Sequence, residues 1–461
     1  MFSKEMFSNR IILDNPWWQT GEVAQEYRKV SPRLFIDTFY HYLSLDGLKR
    51  AILLMGPRRV GKTWLLQHSI NRLLSEQKID PRNIIFLPID VPVYHNSELE
   101  ELLYEACKVS GADPKTEWMY VFFDEIQYKK DWETSLKTLT DSYPNIRFVA
   151  SGSAASVLLK GARESGAGRF TDLTLAPLTF YEYVQMAGRD ESVLESTEVT
   201  NRLFLDYMNF GGYPELVSNS VVRNDPKQFI QRDIIDKVLL RDLPSLYHID
   251  DVRDLQAFFS YVAYHSGMVQ SYEGLSQGTG LSKHTVTKLV QYLEDAFLIS
   301  RLDRVDINAL SLKRATQFKL YLTNPSLRAS MFQVISPSDN TYFGYVVETA
   351  VAAQLGIDEE CRNWRYANWR VGKQQRELDF VKIDAGSQKP ISAIEVKWSD
   401  GPFEHPAEVK EAVNFAKSNG LSELTITSKS ETGVKYCDNV KLSFIPTSFL
   451  AYNLGKKAFA K

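Results

Sequence analysis

Gly56–Pro57–Arg58–Arg59–Val60–Gly61–Lys62–Thr63 follows the apolar run Ala51–Met55 and precedes the amphipathic stretch Trp64–Leu74. The octet fits G-x-x-x-x-G-K-T without a mismatch, in a strand–loop–helix setting. Glycine lets the backbone curl until its N–H groups face phosphate oxygens. The start of the following helix adds a positive partial charge. Gly56, Pro57, Arg58, Arg59, Val60 and Gly61 are therefore expected to cradle the phosphates of a nucleotide. Lys62 is expected to reach the β- and γ-phosphates, and the Thr63 hydroxyl to ligate Mg²⁺. The expected cofactors are ATP and Mg²⁺.

Further along the chain, Tyr120–Val121–Phe122–Phe123 runs directly into Asp124–Glu125. A buried strand ending in aspartate brings a carboxylate to the Mg²⁺ and its waters, so Asp124 is the second expected metal residue. Glu125 is the expected general base that polarises the attacking water. Arg147–Ala150 is a further apolar run and ends in Ser151–Gly152–Ser153. Two readings stand for Ser153: a polar group that senses the γ-phosphate, or part of a plain turn. With Ile84–Leu87, the short apolar runs alternate with amphipathic stretches from about residue 30 to 180. That is the pattern of strands buried on both faces of a parallel sheet, an α/β class.

The chain has 461 residues, which suggests about three domains. A net charge of −3 provides no general basic coat, so any nucleic-acid site has to be a local patch. Cys107, Cys361 and Cys437 are odd in number and far apart, against both a disulfide framework and a Cys-rich zinc site. No apolar run approaches a membrane span. Met1–Asn9 lacks the apolar core of a signal peptide. A cytoplasmic location without membrane contact is the expectation. The paired Trp17–Trp18 reads as an anchor for the N-terminal segment, or as packing near the nucleotide.

Residues 201–335 are mostly helical in pattern, and the breaker-rich turns Gly211–Pro214 and Ser336–Asn340 mark the expected boundaries. Tyr272–Thr279, a Gly280–Leu281–Ser282 turn and Lys283–Ala296 have helix–turn–helix proportions, with Ser282 as N-cap. Val286, Leu289, Val290, Leu293 and Phe297 share the core face. Lys283, His284, Thr287, Lys288 and Gln291 fall on the other, where they suit phosphates and base edges. Ile299–Arg301 and Phe318–Leu322 are the expected wing strands. A winged helix used only for protein packing remains the alternative.

The chain from 336 to 461 returns to mixed helix and strand. Glu348 lies in a helical run, Asp379 in a strand, and Ile394–Glu395–Val396–Lys397 reads as a strand carrying E-x-K. Positions two apart on a strand share a face, so Glu395 and Lys397 are expected to point together towards Asp379. Asp379 and Glu395 would then hold a second Mg²⁺, with Lys397 orienting its water. This order resembles the PD-(D/E)xK nucleases at Asp379, Glu395 and Lys397, with Glu348 as the helix carboxylate.

Across nearly its whole length the chain resembles the prokaryotic AAA-type ATPases with a C-terminal domain of the DUF4143 type. The residues that carry this are the phosphate loop with Arg58–Arg59, Phe123–Gln127, Ala150–Ser153, Gly168–Arg169, Pro177–Phe180 and Phe210–Pro214. The resemblance implies an ASCE-type parallel P-loop sheet over residues 1–200. It also implies a helical lid and winged helix over 201–335, and a PD-(D/E)xK-like α/β domain over 336–461. Arg169 is the arginine-finger or sensor candidate, placed by Gly168 in a loop after the sheet, and a surface arginine is the other reading. The expected activity is ATP hydrolysis in a homo-oligomer, controlling Mg²⁺-dependent cleavage of nucleic acid, DNA first. The alternatives are an ATP-driven DNA-binding switch or assembly platform with an inactive nuclease-like domain, and a regulator acting through the winged helix.

Overall fold

The computed structural model describes residues 4–45, 47, 49–153, 168–249, 251–309, 316–338, 342–357 and 363–459. Cys361 and the Asp339–Asn340 end of the expected boundary loop lie outside them. The chain divides into two units, Met1–Ala176 and Pro177–Lys461.

In the first unit the apolar runs are strands. β1 (Ala51–Met55), β2 (Ile84–Pro88), β3 (Met119–Asp124) and β4 (Ile146–Gly152) bury almost every side chain, so each is covered on both faces. With β5 (Phe170–Thr174) they form a parallel sheet in the order β2-β3-β4-β1-β5. Parallel neighbours need crossover connections, which the amphipathic helices Lys62–Ser75, Leu99–Ser110 and Trp132–Ser142 supply. β4 lies between β1 and β3, so the polar ends of these three strands come together at one edge of the sheet.

The N-terminal segment covers the exposed side of edge strand β2. The Asn15 amide exchanges hydrogen bonds with the backbone of Phe86, and Trp17 and Trp18 each donate Nε1–H to the Ile84 carbonyl at 2.9 Å. This is the anchoring reading of Trp17–Trp18: Ile84 opens β2, at the end of the strand away from Pro88. Pairing the edge in this way removes a free strand template.

In the second unit nine strands among the described residues form one sheet, in the order β13-β14-β12-β11-β10-β9-β7-β8-β6. β6 (Val269–Ser271), β7 (Ile299–Val305) and β8 (Gln317–Leu322) lie in the stretch whose sequence suggests a winged helix. β9 (Trp364–Val371), β10 (Gln374–Ile383), β11 (Pro390–Glu395), β12 (Glu423–Ser428), β13 (Gly433–Cys437) and β14 (Val440–Pro446) complete it. The sequence reading separates residues 201–335 from 336–461. The structure joins them, because β7 pairs in parallel with β9 through Arg304–Tyr366 and Val305–Ala367. The Gly211–Pro214 turn is likewise no boundary: Tyr213 is fully buried, and the Gly212 carbonyl accepts from the Leu178 N–H. Helices Phe343–Leu355 and Thr447–Lys457 bury Val347, Val351 and Ala451 with Phe380 and Ile394 in one core. Helix Lys410–Ser418 packs Val413 and Phe415 with Leu378, Ala393 and Ile426 in another.

The helix–turn–helix expectation corresponds to helices Tyr272–Thr279 and Lys283–Asp295, with Ser282 accepting the Thr285 N–H at 3.1 Å. Val286, Leu289, Val290 and Leu293 are buried, while Phe297 is half-buried. Lys283, His284, Thr287, Lys288 and Gln291 are all exposed, and Lys283 pairs with Glu273 at 3.0 Å. Among the described residues no helix is long and apolar enough to cross a membrane.

Candidate functional sites

The phosphate loop needs unusual backbone. Gly56, Arg59 and Gly61 all have positive φ, at 155°, 63° and 95°. A Cβ at Gly56 would overlap the Leu175 carbonyl oxygen, so this residue is fixed by space as well as by conformation. Replacing Gly56 with alanine should cost about 1–3 kcal/mol of stability and distort the loop. Denaturant unfolding and nucleotide titration of Gly56→Ala check this; an unchanged midpoint and affinity would contradict it. Arg33, buried and far away in sequence, donates to the Val60 carbonyl at 3.0 Å and the Ala176 carbonyl at 2.7 Å, and so braces the loop.

Lys62 opens the following helix, with its buried ammonium donating to the carbonyls of Gly56 and Pro57 at 2.9 Å each. The Thr63 hydroxyl donates to Asp124 Oδ2 at 2.6 Å, and Ser151 donates to the other Asp124 oxygen. Burial first, and then the neighbouring Glu125, push the Asp124 carboxyl up to about 6 against the pull of Ser151, Thr63 and Lys62. Glu125 sits at φ 54°, ψ 46°, a left-handed conformation rare outside glycine. Its N–H donates to Ser151 Oγ at 3.3 Å. Its carboxylate accepts from Gln127 Nε2 and, at 3.4 Å, from Ser153 Oγ; Gln127 also reaches Ser153 at 3.1 Å. Ser153 therefore belongs to the network around Glu125. Arg58 donates to the Tyr128 hydroxyl at 3.1 Å, while Arg59 is exposed.

A hydroxyl and a carboxylate in direct hydrogen bond, beside a loop of inward N–H groups, fit a hydrated Mg²⁺ held with a nucleotide. Sequence reasoning missed Gln127, Arg33 and Asp90. The carboxyl of Asp90 is raised by burial and by Glu125, which puts it within electrostatic reach of the same site. Only the position of Gln127, two residues after Glu125, was a usable signal.

Arg169 is a correction. It does not follow the sheet; it directly precedes β5, and its carbonyl accepts the Ala51 N–H at 2.9 Å. Ala51 opens β1 and Met55 ends it at the phosphate loop, so Arg169 sits at the opposite end of β1 from the loop of its own chain. It forms an exposed ion pair with Asp141 at 2.6 Å. Completion of its own nucleotide site is thereby excluded.

The second unit gathers the expected nuclease residues. Glu348 comes from helix Phe343–Leu355, and Asp379 lies where the pairing of β10 with β9 shifts register, between Leu378 and Val381. Such irregularities re-aim side chains. Asp379 Oδ2 accepts the Val396 N–H at 2.8 Å. β11 stops at Glu395, so Lys397 is not on the strand as expected, but its ammonium reaches back to Glu395 Oε1 at 2.6 Å. The other oxygen of Glu395 is buried with no partner among the described residues.

A residue absent from the sequence reading dominates this centre. Lys319 of β8 is fully buried, and its ammonium lies 2.6 Å from Glu348 Oε1 and 3.5 Å from Asp379 Oδ1 and also pairs with Glu377. The Tyr321 hydroxyl donates to the same Glu348 oxygen at 2.5 Å. Burial opposes the charge of Lys319, but Glu348, Tyr321, Asp379 and Glu377 outweigh it and hold its pKa well above the ordinary value. Burial and then Asp379 push Glu348 up to about 8 and Glu395 to about 7. Asp379 serves the Lys319 ammonium and the Val396 N–H, and one oxygen of Glu395 serves Lys397. The missed signal was a lysine at an otherwise apolar stretch, Phe318–Leu322.

Residues 201–338 match a family model described as "Domain of unknown function (DUF8612)". An uncharacterised protein of Haemophilus influenzae is 24% identical over 309 residues, covering 65% of this chain and 72% of its own. Uncharacterised protein MJ1637 of Methanocaldococcus jannaschii is 26% identical over 366 residues, covering 73% and 75%. Among solved structures, a Walker-type ATPase of Pyrococcus abyssi aligns over 64% of this chain and 94% of its own, at 16% identity and a TM-score of 0.39. A RuvB variant of Thermotoga maritima aligns over 60% and 90%, at 17% identity and a TM-score of 0.29. Residues 48–184, which hold the phosphate loop, the Thr63–Asp124 pair and the parallel sheet, match the model described as "AAA domain".

Proposed function

We propose that the chain binds ATP with Mg²⁺ in its first unit and hydrolyses it there. The observation that carries this is the convergence of Lys62, Thr63, Asp124 and Glu125 at one edge of the β3-β4-β1 sheet, with Thr63 and Asp124 in direct contact. The backbone N–H groups of residues 58–63 bind the β-phosphate, and Lys62 turns from the loop carbonyls to the phosphate oxygens. Thr63 and Asp124 hold the metal, which when bound neutralises charge on the transferring phosphoryl group. Glu125, aimed by Gln127 and Ser153, orients the attacking water and accepts its proton. Phosphate release from ATP by the purified chain, with Mg²⁺ and with EDTA, tests the proposal. Metal-dependent release supports it, and no release with metal and ATP in excess would sink it.

Gln127 is a positioning residue in this scheme. Gln127→Leu should leave nucleotide affinity nearly unchanged and lower turnover about 10-fold, since Glu125 loses its orientation but not its chemistry. Nucleotide titration beside steady-state turnover separates the two; a matching loss of affinity would point to a structural role.

For the second unit, the ammonium of Lys319 among the carboxylates favours the non-cutting reading. We infer a nuclease-like fold used as a platform or switch that responds to the nucleotide state. Arg169 enters only as a residue offered to a neighbouring copy, in the homo-oligomer expected from the sequence.

A further inference from the structure

Three carboxylates in the second unit come within reach of one cation. Ligand oxygens of Glu348, Glu377 and Asp379 lie within 4.8 Å of one another. That spacing suits a hard divalent ion, which takes several carboxylate oxygens. The place is filled by the chain itself. Lys319 contacts all three carboxylates, at 2.6 Å from Glu348 and 3.5 Å from Asp379, with Glu377 as its third partner. An ammonium has three N–H donors and no acceptor, which suits it to a cluster of acids. The Tyr366 ring lies 5.6 Å from Nζ, and the side chain of Lys319 is fully buried.

The origin of the lysine matters as much as its contacts. Glu348, Glu377 and Asp379 come from the helix and strand of the nuclease-like part, whereas Lys319 comes from the winged-helix strand β8. Backbone pairing holds β8 firmly: Lys319 faces Leu302 of β7 on one side and Val269 of β6 on the other. Tyr321, two residues on and on the same strand face, ties Glu348 to the same strand.

We propose that Lys319 is the resident cation of this centre and excludes divalent metal from it. Metal and Lys319 compete for the same oxygens, and β8 holds the competitor in place at high effective concentration. This goes beyond the nucleotide site and does not depend on it.

The test is a Mn²⁺ titration of the nucleotide-free full-length chain, following free Mn²⁺ by electron paramagnetic resonance, alongside thermal melts with and without Mn²⁺. Wild type should take up no Mn²⁺ at this centre below about 1 mM, the weak limit for oxygen-ligand sites. Lys319→Met should melt lower without metal, take up one Mn²⁺ and regain melting temperature with it. Adding Asp379→Asn should abolish that uptake. If Lys319→Met does not fold, Lys319→Met with Glu377→Gln removes one of the repelling carboxylates and keeps Glu348 and Asp379 as ligands. Two results would overturn the proposal. One is Mn²⁺ uptake by wild type that Asp379→Asn removes and Lys319→Met does not strengthen. The other is a folded lysine-free variant that takes up none.

Discussion

Lys62→Ala is expected to lose ATP binding. The Lys62 ammonium is buried at the start of the helix that follows the phosphate loop. Removing the charged partner of a desolvated phosphate costs about 2–5 kcal/mol, or roughly thirty-fold to several thousand-fold in affinity. The fold should survive. The lysine occupies the first helical turn, and alanine is a good helix former there. Its hydrogen bonds to the Gly56 and Pro57 carbonyls are the contacts the alanine gives up. Titration with a fluorescent ATP analogue, beside a thermal melt, reads both points. Full affinity in a folded Lys62→Ala protein would remove the phosphate loop from the account.

Glu125→Gln should behave in the opposite way. Glutamine keeps the size and the hydrogen-bonding reach to Gln127 and Ser153 but cannot take a proton from water. General-base catalysis contributes roughly 10²–10⁴-fold, and that is the expected fall in turnover. Binding should be retained, because Glu125 touches neither the phosphate loop nor Thr63 among its hydrogen bonds. The left-handed backbone at Glu125 supports the assignment, since strain of that kind persists only where the surroundings enforce it. Here the Ser151 hydroxyl fixes the Glu125 N–H, and the same hydroxyl bonds Asp124.

The nucleotide site was legible because its signals are local. Ala51–Met55 and Met119–Phe123 are apolar at every position, a pattern that needs cover on both faces, and the residues with chemistry follow directly at the strand ends. Arg169 was misplaced for a physical reason. Phe170–Thr174 is only partly buried, and its composition gives little sign of a fifth strand, so the preceding Gly168–Arg169 reads as a loop beyond the sheet. At the second centre, Glu348, Asp379, Glu395 and Lys397 were found by order and spacing, but their state was not. That state is set by Lys319, which stands 29 residues before Glu348 in a region of different pattern, and is brought in only by the pairing of β7 with β9. Burial of a lysine can be recognised only once its three carboxylate partners are known. The boundary at Gly211–Pro214 failed similarly: breakers mark a turn, and whether a turn is a linker or part of a core depends on what packs against it.

The account rests on ATP turnover at Glu125, and one comparison reaches that most directly. Wild type and Glu125→Gln are each mixed with ATP and Mg²⁺, and phosphate release is followed beside the identity of the nucleotide retained on the protein. Wild type should release phosphate and retain mostly ADP, while Glu125→Gln should release almost none and retain ATP. Equal release by the two proteins, or no nucleotide on either, would contradict it.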